Sequence, residues 1–122
     1  PTSMPGQRTT TSPAGRDTAD TGEPLRVTEL LAALATPAYI ARGAVHDSKH
    51  TIKAKRMIKK SFELQRDGEC FTFVEILSIC PTNWGLSPSE SVTWLEDTMM
   101  PYYPLGVIKE PAKAPATAPQ TA

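Results

Sequence analysis

Residues Phe73 to Gly85 read FVEILSICPTNWG, an apolar run with a single charge, Glu75, followed by the hexapeptide Cys80-Pro81-Thr82-Asn83-Trp84-Gly85. Extended back to Phe71, the run FTFVEILS is dominated by β-branched and aromatic residues, the composition of a strand. Directly after the hexapeptide, Ser87-Pro88-Ser89-Glu90 joins a capping serine, a proline in the first helical position and a glutamate three residues after the cap, which predicts a helix start. A strand that ends in a loop carrying a thiol, an amide and an indole, and then enters a helix, has the layout of an α/β ligand edge. In open α/β sheets ligands sit outside the carboxyl ends of the strands.

Working outward, the 122 residues allow one domain, with a core-forming part from Glu23 to Lys109. A chain of this size buries only about 60 to 65% of its unfolded surface, so a supporting neighbour is expected. Thirteen basic and thirteen acidic residues cancel. That balance removes the global argument for a nucleic-acid or membrane-surface partner, and no apolar run reaches membrane-spanning length. Cys70 and Cys80 lack C-x-x-C spacing and follow no apolar signal segment, which favours a reducing, cytoplasmic setting. A start at Pro1 rather than methionine suggests a piece of a longer chain.

Pro1 to Gly22 is rich in Thr, Ser, Pro and Gly without apolar period and reads as loop. From Pro24 the pattern changes: Val27, Leu30, Leu31 and Leu34 repeat at helical spacing, predicting an amphipathic helix closed by Thr36-Pro37. Ala38 to Val45 is a short strand with little alternation, suited to burial on both faces, and Gly43 permits close backbone approach. Asp47 or Ser48 caps a helix from Lys49 to Arg66, with Ala54, Met57, Ile58, Ser61 and Phe62 as its expected buried stripe. Asp67-Gly68 ends it. Strand, helix and strand within about forty residues form a βαβ unit, so the two strands lie parallel in one sheet. Tyr102 to Ile108, broken by Pro104 and Gly106, should lie against the body as an extended segment, and residues 110–122 form an Ala/Pro tail expected to be disordered.

Parallel pairing opens the carboxyl ends of both strands on one edge, which gathers Arg42, His46, Asp47, Cys80, Thr82 and Asn83 as candidate site residues. Cys80 has three explanations: an inert thiol, a nucleophile with His46 as its base, or a metal or cluster ligand. Cys70, about 30 Å away along an extended strand, cannot join it as a ligand. His46 and His50 stand four apart and can share a face, but without a second pair of ligands nearby they make a weak zinc motif. Seven of the thirteen basic residues fall between Lys49 and Arg66. That helix is either a solvated face or a docking surface for an acidic protein, giving the alternative reading of a small α/β interaction module. No aromatic residues interleave with the charges to stack bases.

Two stretches, ARGAVHDSKHTIKAKRMIKKSFE (Ala41 to Glu63) and FVEILSICPTNWGLSPSESVTWLEDTMMPYYPLGVIK (Phe73 to Lys109), resemble the β subunits of the 2-oxoglutarate and 2-oxoisovalerate:ferredoxin oxidoreductases. PTSMPGQ (Pro1 to Gln7) is similar to the segment after the Gly-Gly-Gln that closes their thiamine-diphosphate loop. The resemblance implies the βαβ half of a thiamine-diphosphate-binding fold, with parallel strands and helices on the sheet faces. It implies an enzyme that decarboxylates a 2-oxoacid, with 2-oxoglutarate favoured, and passes electrons through a 4Fe-4S cluster to ferredoxin, yielding the acyl-CoA. An α subunit would be its partner, with thiamine diphosphate and Mg2+ as further cofactors. Cys80 matches the cluster's fourth ligand, and Asn83 and Trp84 would stand around the sulfur, one donating to it and one excluding water.

Ile79 departs from the proline or threonine more usual before that cysteine. The Gly-Asp-Gly with its magnesium-binding aspartate, the later Asn-bearing segment and the C-x-x-C-G-H motif are missing. The resemblance therefore implies the C-terminal half of the subunit, 1–22 following the absent cofactor loop and 23–109 completing the domain, inactive alone.

Overall fold

The computed structural model describes residues 3–111. The tail expected to be disordered falls, from Ala112 on, outside the described residues. Two short helices come first, α1 (Thr18–Thr21), capped by Asp17, and α2 (Val27–Ala32). They are followed by β1 (Ala38–Ala44), the long α3 (Ser48–Arg66) and β2 (Phe71–Leu77). A helical turn α4 (Pro81–Trp84) leads to α5 (Pro88–Trp94), which runs through a π-turn (Leu95–Met99) into α6 (Met100–Tyr102); β3 (Gly106–Lys109) closes the order.

β1 is the central strand of three, in the order β2-β1-β3. It pairs parallel with β2 in unbroken register from Ala38 opposite Phe71 to Ala44 opposite Leu77, as the βαβ reading requires. The expectation of an all-parallel sheet is corrected by β3, which pairs antiparallel with β1, Arg42 opposite Gly106 and Ile40 opposite Lys109, across an irregularity at Ile40/Ala41. The extended segment expected over Tyr102 to Ile108 forms a strand only beyond Pro104, which lacks an N–H. Past it, Gly106 to Lys109 carries free amides, and the reversal through α6 delivers them to the open edge of β1 without the crossover that a parallel strand needs. Lys109 Nζ donates to the carbonyls of Leu34 and Thr36, pinning this strand to the segment after α2.

Every residue of β1 is buried. α3 comes close above it at Gly43, where an added Cβ would meet Ala54 Cβ at 3.1 Å and Ile76 Cδ1 at 3.2 Å. The capping expectations hold: Asp47 accepts from the His50 amide, and Ser87 and Glu90 form the reciprocal box.

Two buried stripes differ from expectation. α2 stops at Ala32, and its buried residue is Thr28, with Leu30 and Leu34 mostly exposed. On α3, Ala54 is buried and Met57, Ser61 and Leu64 are partly covered, whereas Ile58 and Phe62 face solvent. Three strands span only about 10 Å, roughly the diameter of one helix with its side chains, so only the narrow line at 54, 57, 61 and 64 finds cover.

The main core lies at the carboxyl ends of β1 and β2. Met4, Ala44, Leu77, Leu95, Met99 and Tyr103 form it, flanked by Ile79, Trp84, Trp94, Met100, Tyr102 and Leu105. The segment read as loop is thus tied down: Met4 enters the core and buried Arg16 donates to the Ser3 and Gly22 carbonyls.

A second knot surrounds Arg42. Its Nε donates to Glu75 at 2.5 Å, and its terminal nitrogens donate to Glu29 at 2.6 and 2.9 Å, to the Pro104 carbonyl and to Thr28. Its guanidinium also sits over the Tyr103 ring. Burial opposes the charge on Arg42, but the Glu29 and Glu75 carboxylates outweigh it. Hydrogen bonding from Arg42 in turn lowers Glu29 to about 2.

Candidate functional site at the ends of the parallel strands

The Val45 amide donates to the Leu77 carbonyl, so β1 and β2 finish side by side as the parallel reading predicts. Beyond them Cys80 is exposed, and its carbonyl accepts from the Trp84 amide. The hexapeptide, read as a loop, is a helical turn with Pro81 in its first position. Gly85 ends it at φ 67°, a left-handed conformation that favours glycine. Trp84 is turned back against Trp94, ring centroids 4.8 Å apart.

The N-terminal loop forms the opposite wall. The Thr10 amide donates to the Asn83 carbonyl at 3.0 Å, and the Thr10 hydroxyl donates to Asn83 Oδ1. Between the walls lies an open cavity of about 250 Å³ lined by Arg8, Thr9, Thr10, Pro13, Thr82, Asn83, Trp84 and Gly85. Hydroxyls, an amide, a guanidinium and an indole along one open cavity can hold a small polar or anionic group. Arg8, Thr9 and Thr10 were missed because a Thr-rich stretch without apolar period carries no helix or strand signal; the run Thr9-Thr10-Thr11 itself was the available clue.

The six candidates gathered from topology divide into four groups. Thr82 and Asn83 line the cavity with Trp84. Cys80 stands free in solvent beside it in sequence. Arg42 is spent on the knot of carboxylates, a structural role. His46 and Asp47 join His50, the three offering ligand atoms all within 4.8 Å of one another.

A four-iron cluster needs four soft ligands. The chain has two cysteines, at opposite ends of β2, so these residues alone do not fit a cluster. Among the described residues the one grouping of three or more ligating side chains is His46, Asp47 and His50, which contains no thiolate. Nothing described here matches a magnesium diphosphate site either.

The class this architecture defines is a small α/β domain with a mixed sheet and a polar loop site at its parallel strand ends. The chain is 41% identical over 105 residues to the ketoisovalerate oxidoreductase subunit VorA of Methanothermobacter marburgensis, covering 86% of this chain and 22% of that protein. It is 40% identical over 105 residues to the subunit of the same name from Methanothermobacter thermautotrophicus, with the same coverage. The chain spans about a fifth of the length of these curated relatives. No protein family pattern matches it, and no solved structure does. No described helix is long and apolar enough to cross a membrane.

Proposed function

We propose that this chain is part of a 2-oxoacid:ferredoxin oxidoreductase and supplies one thiolate, Cys80, to a 4Fe-4S cluster completed by other segments of the enzyme. The observation that carries the reading is the match over 105 residues to oxidoreductase subunits. The exposed position of Cys80 at the strand ends supports its part. The relatives' name, ketoisovalerate oxidoreductase, favours a branched-chain 2-oxoacid over 2-oxoglutarate as substrate. We take the chain as belonging to the β subunit beside an α subunit, with thiamine diphosphate, Mg2+ and coenzyme A bound elsewhere in the assembly and ferredoxin as acceptor.

In this reading the cluster supplies one-electron transfer. The chain's own residues do simpler work. The Pro81 turn fixes the direction in which Cys80 leaves β2. Trp84, packed on Trp94, keeps water from one side of the loop. Thr10 clamps Asn83 and so holds the cavity wall in place.

The test is Cys80→Ser in the assembled oxidoreductase. The expected result is a loss of iron approaching one cluster per subunit and loss of ferredoxin reduction driven by 3-methyl-2-oxobutanoate. Full iron content with undiminished ferredoxin reduction overturns the ligand assignment.

A further inference from the structure

His46 is the residue whose surroundings the oxidoreductase reading leaves without a purpose. Its side chain is fully enclosed, and neither ring nitrogen has a hydrogen-bond partner. An imidazole so placed gives up its hydration without replacement, a cost of about 1 to 3 kcal/mol. Ligating atoms nonetheless lie close to it. Glu96 Oε1 lies 3.2 Å from His46 Nε2, and Asp47 Oδ2 lies 3.5 Å from the same atom. His50 stands beside it, ring centroids 4.3 Å apart, with Nδ1 2.7 Å from Asp47 Oδ2.

We propose that His46, Asp47 and His50, whose ligand atoms lie within 4.8 Å of one another, form a binding site for a zinc-type divalent cation, with the exposed Glu96 beside His46 turning in as the fourth ligand, distinct from the Cys80 loop and independent of what that loop does. Two histidines four residues apart made a weak motif while no second pair of ligands was visible. The fold supplies that pair, Asp47 from the cap of α3 and Glu96 from the π-turn after α5.

The spacing suits the ion. Ligands held about 2.0 to 2.1 Å from tetrahedral zinc stand about 3.3 Å from one another. The two contacts of His46 Nε2, at 3.2 and 3.5 Å, bracket that value. The Asp47 to His50 contact is a hydrogen bond and must open by roughly half an ångström as the metal replaces its proton.

Asp47 is held ready for this. Its Oδ1 accepts from the His50 amide at 2.7 Å as the helix cap, which leaves Oδ2 for the ion. The positive end of α3 opposes a cation there. Two carboxylates offset it, since two neutral imidazoles with an aspartate and a glutamate carry two negative charges and leave a bound divalent ion neutral overall. Both carboxylates are partly exposed, at 43% and 47%, which gives the ion a way in.

The 122-residue chain, stripped with chelator, is titrated with Co2+ as a spectroscopic probe and then with Zn2+. One equivalent of Co2+ should give the intense visible absorption of a four-coordinate ion, and Zn2+ should abolish it. His50→Gln and Glu96→Gln should each weaken binding at least about 100-fold, more than loss of an outer partner costs. Both should keep the parent far-UV dichroism, because the Asp47 cap uses only the His50 backbone and Glu96 is exposed. Absence of saturable binding, a pale six-coordinate spectrum, or variants that bind like the parent would overturn the proposal.

Discussion

The core at the strand ends and the two separate flanks formed by α2 and by the outer side of α3 are both rich in aliphatic residues, yet they end differently. Leu77, Leu95, Met99 and Tyr103 are each 6% exposed or less, while Leu25, Leu30, Leu34, Ile58 and Phe62 remain 39 to 72% exposed. The difference lies in how many segments converge. The N-terminal loop, both parallel strands, the π-turn and α6 all meet at the first place, whereas each flank has only a three-stranded sheet beneath it. β2 shares this incompleteness: it is an edge strand with no partner on its outer side among the described residues.

Substitutions can break that contrast or sharpen it. The largest effect is expected at the closed end of the comparison, for Arg42→Ala, which strands Glu29 and Glu75 without their shared cation. The expected cost is roughly 3 to 5 kcal/mol by chemical denaturation, and a loss below about 1 kcal/mol would show that the knot is not part of the closed region. Gly43→Ala comes next. Its new methyl meets Ala54 and Ile76 at 3.1 to 3.2 Å, and about 1 to 3 kcal/mol should be lost as α3 is pushed off β1. The Glu29 contact adds a dependence on acid. Its carboxyl falls from 4.5 to about 2 on folding, so its stabilisation is complete above about pH 4.5 and disappears as the pH falls toward 2. Glu29→Gln should flatten the melting midpoint over that interval relative to the parent. The smallest change is expected on the flanks, where Leu30→Gln and Phe62→Gln should shift stability by no more than about 0.5 kcal/mol in this chain. A loss above about 1 kcal/mol from either would mean that its flank is packed after all.

Much of the frame was legible because it rests on local chemistry. The parallel pairing of β1 with β2 followed from strand, helix and strand in close succession, and the caps at Asp47 and Ser87 from residues that satisfy amides next to them. What escaped depended on distant partners. Nothing near Gly106 announces that it will find the edge of β1, and nothing in VTELLA says that Thr28 rather than Leu30 will be buried, because the Arg42 knot decides that from another strand. The site divides the same way. Thr82, Asn83 and Trp84 were visible in a motif. Thr10 and Glu96 were not, since the first comes from an aperiodic loop and the second is brought to His46 by a π-turn 50 residues downstream in the chain.

Arg42 has one further consequence, for how the molecule opens. Through a single side chain it binds Thr28 and Glu29 of α2, Glu75 of β2 and the carbonyl of Pro104 just before β3. None of these segments can swing away without releasing the guanidinium from the others. The short α2 and the four-residue β3, each too small to persist alone, therefore behave as one cooperative unit with β2, and their amides should exchange with deuterium at a common rate rather than fray separately.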